Sequence, residues 1–317
     1  MVGDNMRVLV AEDNVVFQRL LETKLKAWDY EVVLAVDGTE AWKILSGPNA
    51  PQLAILDWMM PGFSGIELCK KIRQEMSETY TYVILLTAMH GEEELVVGME
   101  AGADDYVTKP FKPAELRVRL RAGRRVIELQ NDLLQAREAL RIKATHDSLT
   151  GLWNHEEIFR LLDLELLRSE RQKTPVGIIL ADIDHFKKIN DGYGHLAGDQ
   201  ALRTVAQEMQ ALVRSYDAVG RYGGDEFLLV LPGCDRAKLA ALAERLRTSL
   251  REKKTDSPGG PIPMTLSLGA VVYEGRKGAN ATALLHEADT ALYSAKHAGR
   301  DRLVIAGDQP VATPPPA

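Results

Sequence analysis

From Arg7 to about Pro113, short β-type runs alternate with segments whose apolar positions recur at helical spacing. The runs Arg7–Ala11, Glu31–Ala35, Leu53–Leu56, Tyr82–Leu86 and Asp105–Val107 predict strands, while Val15–Trp28, Gly38–Leu45, Gly65–Gln74 and Glu92–Ala101 predict the helices between them. A fifth helix starts near Pro113. This alternation predicts an α/β doubly wound domain, a five-stranded parallel sheet with helices on both faces. Beyond about residue 147 the order changes. Helices are predicted at Glu156–Glu170, Gly198–Val213, Arg236–Arg251 and Thr282–His297. Strands are predicted at Val176–Asp182, Val219–Tyr222, Phe227–Leu231, near Met264–Val272 and at Leu303–Val304, which gives an α+β domain with a largely antiparallel sheet.

Between the two lies a stretch with no proline after Pro113 and one glycine, Gly123, so a single helix to about Thr145 is predicted. Val126, Leu129, Leu133, Ala136 and Leu140 alternate spacings of three and four, a coiled-coil seam of about two heptads. Leu120, Ile127 and Leu134 form a second stripe beside it, so two registers are open. The alternative is an amphipathic helix packed on its own domain. Gly123 reads as a weak spot, costing about 1 kcal/mol relative to alanine. The expected division is 1–117, a helical stalk at 118–146, 147–306, and a proline-rich disordered tail at 307–317.

Composition narrows the class. The chain has 317 residues, enough for about two ordinary domains. A net charge of −6 argues against a large nucleic-acid face. No apolar run approaches the ~20 residues of a membrane span, and no signal-peptide pattern opens the chain. Cys69 and Cys234 lack metal-ligand spacing or a disulfide framework, which fits a reducing cytoplasm.

The polar residues of the first half fall at consistent places. Glu12 and Asp13 follow the first strand, Asp57 the third, Thr87 the fourth and Lys109 the fifth. The carboxyl ends of strands in an open parallel sheet converge on one crevice, so three acids, a hydroxyl and an ammonium should meet there. Each alone is more often a solvated loop residue or helix cap. Together they resemble the receiver domain of two-component response regulators. The resemblance implies that Asp57 accepts a phosphoryl group from a histidine kinase. It also implies that Glu12, Asp13, Asp57 and the Trp58 carbonyl hold Mg²⁺, that Thr87 and Lys109 contact the phosphoryl oxygens, and that Tyr106 is the switch aromatic. Lys109-Pro110 matches a family position with a cis peptide.

In the second half, Gly223-Gly224 separates two strand-like runs, a strong tight-turn signal, and Asp225 and Glu226 follow it directly. An acid pair at a hairpin tip is a plausible divalent-metal seat, and equally good exposed-turn chemistry. Strand alternation puts Asp182 and Asp184 on one face, so Asp182, Asp225 and Glu226 can bracket two cations if the strands adjoin. Such sites suit in-line phosphoryl transfer.

Gly223-Gly224-Asp225-Glu226-Phe227 is the signature of the GGDEF family of diguanylate cyclases, and Asp147-Ser148-Leu149-Thr150-Gly151-Leu152-Trp153-Asn154 resembles the motif that opens that domain. The family's next residue is usually arginine; here it is His155. The resemblance implies a palm-like fold and condensation of two GTP into cyclic di-GMP and pyrophosphate. Asp182, the Ile183 carbonyl and Glu226 would hold Mg²⁺, or Mn²⁺, and Asp225 would help deprotonate the 3′-hydroxyl. Asn190 and Asp199 would read guanine, and Lys296, Arg300 and the amides near Phe186 and Lys187 would hold the triphosphate. Arg214 and Asp217 match the family's product-inhibition site, with Arg245 a candidate contact from a second subunit; as an i,i+3 pair they could also be a surface ion pair. The expected protein is a cytoplasmic, phosphorylation-activated cyclase acting as a homodimer or higher homo-oligomer, with no nucleic-acid or membrane partner. The competing reading is a catalytically silent, phosphorylation-gated receptor for cyclic di-GMP.

Overall fold

A computed structural model of the chain describes residues 5–76, 80–88, 92–253, 260–275, 278 and 280–307, with the backbone alone at 92–95. The expected tail beyond 307 lies outside the described residues. The chain divides into two compact units, Met1–Glu138 and Ala139–Ala317.

In the first unit the strands β1 (Arg7–Ala11), β2 (Glu31–Ala35), β3 (Leu53–Asp57), β4 (Tyr82–Thr87) and β5 (Asp105–Thr108) form a parallel sheet in the order β2-β1-β3-β4-β5. Helices α1 (Val15–Lys26), α2 (Gly38–Leu45), α3 (Gly65–Glu75), α4 (Glu92–Glu100) and α5 (Pro113–Thr145) follow them. Successive strand residues point to opposite faces, which builds two cores. Val8, Val10 and Ile55 pack with Leu21 and Leu25 of α1 and Leu116 and Leu120 of α5. Leu9, Ala54 and Leu56 pack with Leu45 of α2 and Leu68 and Ile72 of α3. Strands β3, β4 and β5 each run one residue past the apolar stretch, because the ladder continues through Asp57 and Thr87.

Helix α5 is continuous, as predicted, but its two stripes are not equivalent. Leu120 and Ile127 are fully buried in the first unit, and only Leu134 of that stripe is exposed. Leu129, Leu133 and Leu140 are all more than half exposed. The glycine between these regions has a different meaning from the one its propensity suggests. A Cβ on Gly123 would lie 2.6 Å from the Tyr82 ring and 3.1 Å from Leu53 Cδ1, so its absence lets the helix approach the sheet.

The second unit has sheet order β10-β9-β6-β8-β7, built from β6 (Val176–Ile183), β7 (Ala218–Arg221), β8 (Glu226–Pro232), β9 (Leu266–Tyr273) and β10 (Leu303–Ile305). Strand β6 is central and antiparallel to β8 and β9; β7 is antiparallel to β8, and only β10 joins in parallel. Helices α8 (His195–Leu212) and α9 (Arg236–Glu252) cover one face, and α6 (His155–Gln172) and α10 (Ala281–His297) the other. A further helix, α7 (Phe186–Tyr193), was not predicted. Ile189 is its one buried residue, too little apolar content for a helical period to show.

The packing at Gly123 yields a sign reversal. Helix propensity says that Gly123→Ala should stabilise; the contact with Tyr82 says that overpacking should win, with a net loss of about 1–2 kcal/mol in urea unfolding. A gain in stability would show that the Tyr82 ring has room to yield.

Candidate functional site

The first site lies at the carboxyl ends of β1, β3 and β5. Glu12 and Asp57 are buried, and Lys109 reaches both, with Nζ 2.7 Å from Glu12 Oε2 and 2.9 Å from Asp57 Oδ1. Burial raises the pKa of each carboxyl, and Lys109 opposes the rise. Asp13 is exposed at the rim, yet Glu12, Asp13 and Asp57 each place an oxygen within 4.8 Å of the others. Three hard oxygen donors at that spacing fit a divalent cation such as Mg²⁺. The Trp58 carbonyl accepts from the Gly65 amide at 3.1 Å and has a second lone pair to offer. Thr87 is buried, and its carbonyl accepts from the Lys109 amide at 2.7 Å. Tyr106 is half-buried against the α2/α3 face, with the Arg119 guanidinium 5.6 Å from its ring. The Lys109-Pro110 peptide is cis, as expected.

The second site is built by strand register. Asp182 on β6 stands directly opposite Glu226 on β8, and the Ile183 amide donates to the Asp225 carbonyl at 3.3 Å. Like charges directly opposite each other in a sheet repel. Lys296 at the end of α10 answers this, with Nζ 2.6 Å from Asp182 Oδ2. Burial raises the Asp182 pKa to about 6; Lys296 opposes the rise, and Asp225 and Glu226 add to it. Glu226 is raised by burial as well. Asp182, the Ile183 carbonyl and Glu226 offer the hard oxygen donors that a divalent cation requires.

The turn between β7 and β8 differs from the expected two-glycine hairpin. The amides of Tyr222 and Gly223 both donate to the Glu226 carbonyl, at 2.8 and 3.2 Å, and neither Gly223 nor Gly224 is among the positive-φ residues. A Cβ on Gly223 would lie 2.9 Å from Glu226 Oε2, so the Glu226 carboxylate rests against this glycine. Arg221, to which the sequence reading assigned no role, braces the tip. Its Nε and Nη2 donate to the Gly224 carbonyl at 3.1 and 2.7 Å, and its Nη1 pairs with Asp147 at 3.2 Å. The signal available was an arginine two residues before the glycines and an aspartate opening the domain motif. His155, where the family has arginine, stacks on Tyr222 with ring centroids 4.6 Å apart.

Beyond β6, Phe186 and Lys187 open α7, whose first amides have no partner within the helix. Asn190 on α7 and Asp199 on α8 are half-buried, and the two helices pack so closely that a Cβ on Gly198 would overlap the Asn190 carboxamide. Gly198 therefore sets the place of Asn190. Arg300 follows α10 on an exposed turn.

Arg214, Asp217 and Arg245 line one cavity of about 180 Å³, together with Cys234 and Lys238. The simple ion-pair reading of Arg214 and Asp217 is replaced by a different contact. Asp217 Oδ2 accepts from the Arg214 backbone amide at 2.8 Å, while the guanidinium donates to the Tyr216 hydroxyl at 2.6 Å. Arg245 donates to the Leu212 carbonyl at 3.3 Å. Cys69 and Cys234 are both buried free thiols, pushed by burial up to about 12 and about 11 respectively. Among the described residues, no helix is long and apolar enough to cross a membrane.

Residues 8–121 match the response regulator receiver domain family, and residues 144–302 match the GGDEF domain family of diguanylate cyclases. The response regulator PleD of Caulobacter vibrioides is 31% identical over 304 residues, which cover 94% of this chain and 65% of that protein. Diguanylate cyclase DgcP of Pseudomonas aeruginosa is 40% identical over 169 residues, 53% of this chain and 25% of DgcP. The chain thus spans between a quarter and somewhat under two thirds of these two relatives' lengths. Among solved structures, the coiled coil and GGDEF domain of DgcB from Caulobacter crescentus, in complex with c-di-GMP, aligns with a TM-score of 0.54 at 29% identity, over 60% of this chain and 99% of that one. Diguanylate cyclase SiaD of Pseudomonas aeruginosa, in complex with its activator SiaC, aligns with a TM-score of 0.51 at 31% identity, over 68% of this chain and 78% of that one. With the acidic hairpin opposite Asp182, and Glu12, Asp13 and Lys109 gathered around Asp57, these matches establish that the chain belongs to the GGDEF family of diguanylate cyclases and carries a response regulator receiver domain ahead of that domain.

Proposed function

We propose that this chain condenses two GTP into cyclic di-GMP and two pyrophosphate, is activated by phosphorylation at Asp57, and is inhibited by its product. The observation that carries the catalytic part is the register placing Asp182 opposite Glu226 beside Asp225, with Lys296 within reach. Mg²⁺, or Mn²⁺, held by Asp182, the Ile183 carbonyl and Glu226 would supply charge for the phosphates and acidity for the attacking hydroxyl. The chain's own groups do the rest. Asp225 accepts the 3′-hydroxyl proton; Asn190 and Asp199 take the guanine edge, where adenine would leave a carboxylate unpaired. Lys296, Arg300 and the Phe186 and Lys187 amides hold the triphosphate. The 3′-oxygen of each GTP attacks the α-phosphorus of the other, and pyrophosphate leaves. Both attacks cross between half-sites, so two catalytic domains face each other in a homodimer or larger homo-oligomer. The exposed Leu129, Leu133 and Leu140 of α5 supply an apolar stripe for a partner helix.

At the receiver, Asp57 takes the phosphoryl group from a histidine kinase; Glu12, Asp13, Asp57 and the Trp58 carbonyl would hold Mg²⁺, which would supply charge for the phosphoryl oxygens. Lys109, already on the Asp57 carboxylate, stays to neutralise a phosphoryl oxygen, and the Thr87 hydroxyl binds another. Movement of Thr87 draws Tyr106 inward. The cavity of Arg214, Asp217 and Arg245 binds cyclic di-GMP, a guanidinium taking phosphate or a guanine edge and Asp217 the guanine N1 side.

Incubation with GTP and Mg²⁺, with and without a small phosphodonor, tests the whole reading. Cyclic di-GMP should form faster with the phosphodonor, Asp57→Asn should lose that stimulation, and Glu226→Gln should lose turnover. Outer-shell partners of a metal are worth ~10–100-fold, so an inner ligand's charge should be worth at least about 10²-fold. Binding of cyclic di-GMP with no product formed would favour the silent receptor instead.

Arg214→Ala should keep initial rates within about twofold while weakening inhibition by added cyclic di-GMP about tenfold or more, the scale of a lost charge-assisted contact. Unchanged inhibition in that variant would reduce the pair to a structural turn.

The raised Asp182 pKa adds a prediction with a definite sign. The folded chain holds this proton more tightly than the unfolded chain, so ionisation between about pH 4 and pH 6 costs stability, and that cost is complete above about pH 6. Asp182→Asn should therefore be inactive yet more stable by about 1–2 kcal/mol at neutral pH, with the gain vanishing below about pH 4. Thermal unfolding across that range checks it; a gain independent of pH would point to packing rather than charge.

A further inference from the structure

Asp184 lies one residue past the end of β6 and is only 5% exposed. Strand alternation puts it on the face of Asp182, which on sequence alone would offer it as another carboxylate for a cation. Its oxygens are engaged elsewhere. Oδ1 accepts from the Ser267 hydroxyl at 2.6 Å; Oδ2 accepts from the Thr265 hydroxyl at 2.7 Å and from the Asp301 backbone amide at 3.0 Å. The Asp184 amide also donates to the Thr265 carbonyl at 3.0 Å. A buried carboxylate with three donors is a strong, directional anchor.

What it anchors is the turn after α10. Gly299, Arg300 and Asp301 have φ of 113°, 60° and 45°, three successive residues with positive φ, two of which carry side chains. Residues other than glycine visit the left-handed region singly rather than in series, and strained backbone of this kind persists where its surroundings over-determine it. Asp301 is held from two sides. Its amide is bound by Asp184, and its carboxylate receives Arg247 Nη1 at 2.9 Å, with Arg251 at 3.7 Å. Arg247 also donates to the Asp301 carbonyl at 3.3 Å. The backbone of Arg300 is thereby fixed from the same end of β6 that carries Asp182.

We infer that Asp184 is a positioning residue for nucleotide binding: it holds the left-handed turn that carries Arg300 and ties that turn to the strand of Asp182. The inference rests on the reading of Arg300 as a triphosphate contact in the proposed cyclase.

The test is a double-mutant cycle on the full chain, comparing parent, Asp184→Asn, Arg300→Ala and the double variant. Binding of 3′-deoxy-GTP, which lacks the attacking hydroxyl, is measured by titration calorimetry in Mg²⁺. Asp184→Asn should weaken binding about tenfold in the parent background, and less than about twofold once Arg300 is gone. Equal losses in both backgrounds would make Asp184 a general support of the fold and overturn the inference. So would a changed Mg²⁺ dependence seen in Asp184→Asn and absent from Arg300→Ala, which would mark a metal ligand. If Asp184→Asn does not fold, Ser267→Ala loosens the same anchor, and the same non-additive pattern should appear at smaller size. Failure of the parent itself to bind 3′-deoxy-GTP would bring down the cyclase reading, and this inference with it.

Discussion

Carboxylates gathered at strand ends, largely out of contact with water, must each meet a cation or a hydrogen-bond donor, and both units are arranged around that requirement. In the first unit Lys109 bridges Glu12 and Asp57; in the second Lys296 meets Asp182, which faces Glu226 across the ladder. Removing Lys109 would leave two buried carboxylates without their cation, a loss on the order of 3–5 kcal/mol. Each lysine comes from an element distant in sequence, so the sheet must form in one register before the charges can be satisfied. The same arrangement leaves the acids with raised pKa values and oxygens directed to one place, which is what chemistry on phosphates needs.

The two units solve this with different sheets. The parallel sheet brings the acids to a crevice because all its carboxyl ends lie at one edge. The antiparallel sheet does it by pairing: β6 lies between β8 and β9, and the turn into β8 delivers Asp225 and Glu226 to the end of β6. That turn is held from below by Arg221, which links the Gly224 carbonyl to Asp147, at the start of the segment following α5. Asn154 closes the same segment, its side chain donating to the Ala144 carbonyl at 2.7 Å and its amide to Thr145 at 2.9 Å. The end of the long helix and the turn into β8 are thus joined through this segment by hydrogen bonds and one ion pair.

The cavity of the second unit and its acidic cluster lie on separate surfaces. The cavity of Arg214, Asp217 and Arg245 lies where α8 runs into β7 and where α9 passes, while the acids occupy the far end of the same strands. Product bound in the cavity would not compete for the acids.

Local pattern determined much of this chain. Period-two runs gave the strands nearly to the residue, with Arg7–Ala11 and Glu31–Ala35 unchanged, because each is bounded by turn chemistry that its own sequence supplies. The letters Gly223-Gly224-Asp225-Glu226-Phe227 and the polar residues at successive strand ends of the first unit carried the family resemblances, because each can be read from its own place in the sequence. Only the tertiary structure decided what depends on distant contacts. Gly123 reads as a helix defect until Tyr82 is found against it, and Gly223 reads as a turn former until the Glu226 carboxylate is found resting against it. Leu120 and Ile127 look like an outward stripe until the sheet covers them, and α7 is too polar to announce itself. Sequence alone puts Asp184 on the face of Asp182 with no role, and only the structure brings Thr265, Ser267 and Asp301 to its oxygens. For Gly123, for the Leu120 and Ile127 stripe and for Asp184 the deciding partner lies tens of residues away, and side-chain identity alone cannot say which of several chemically equivalent roles a group will fill.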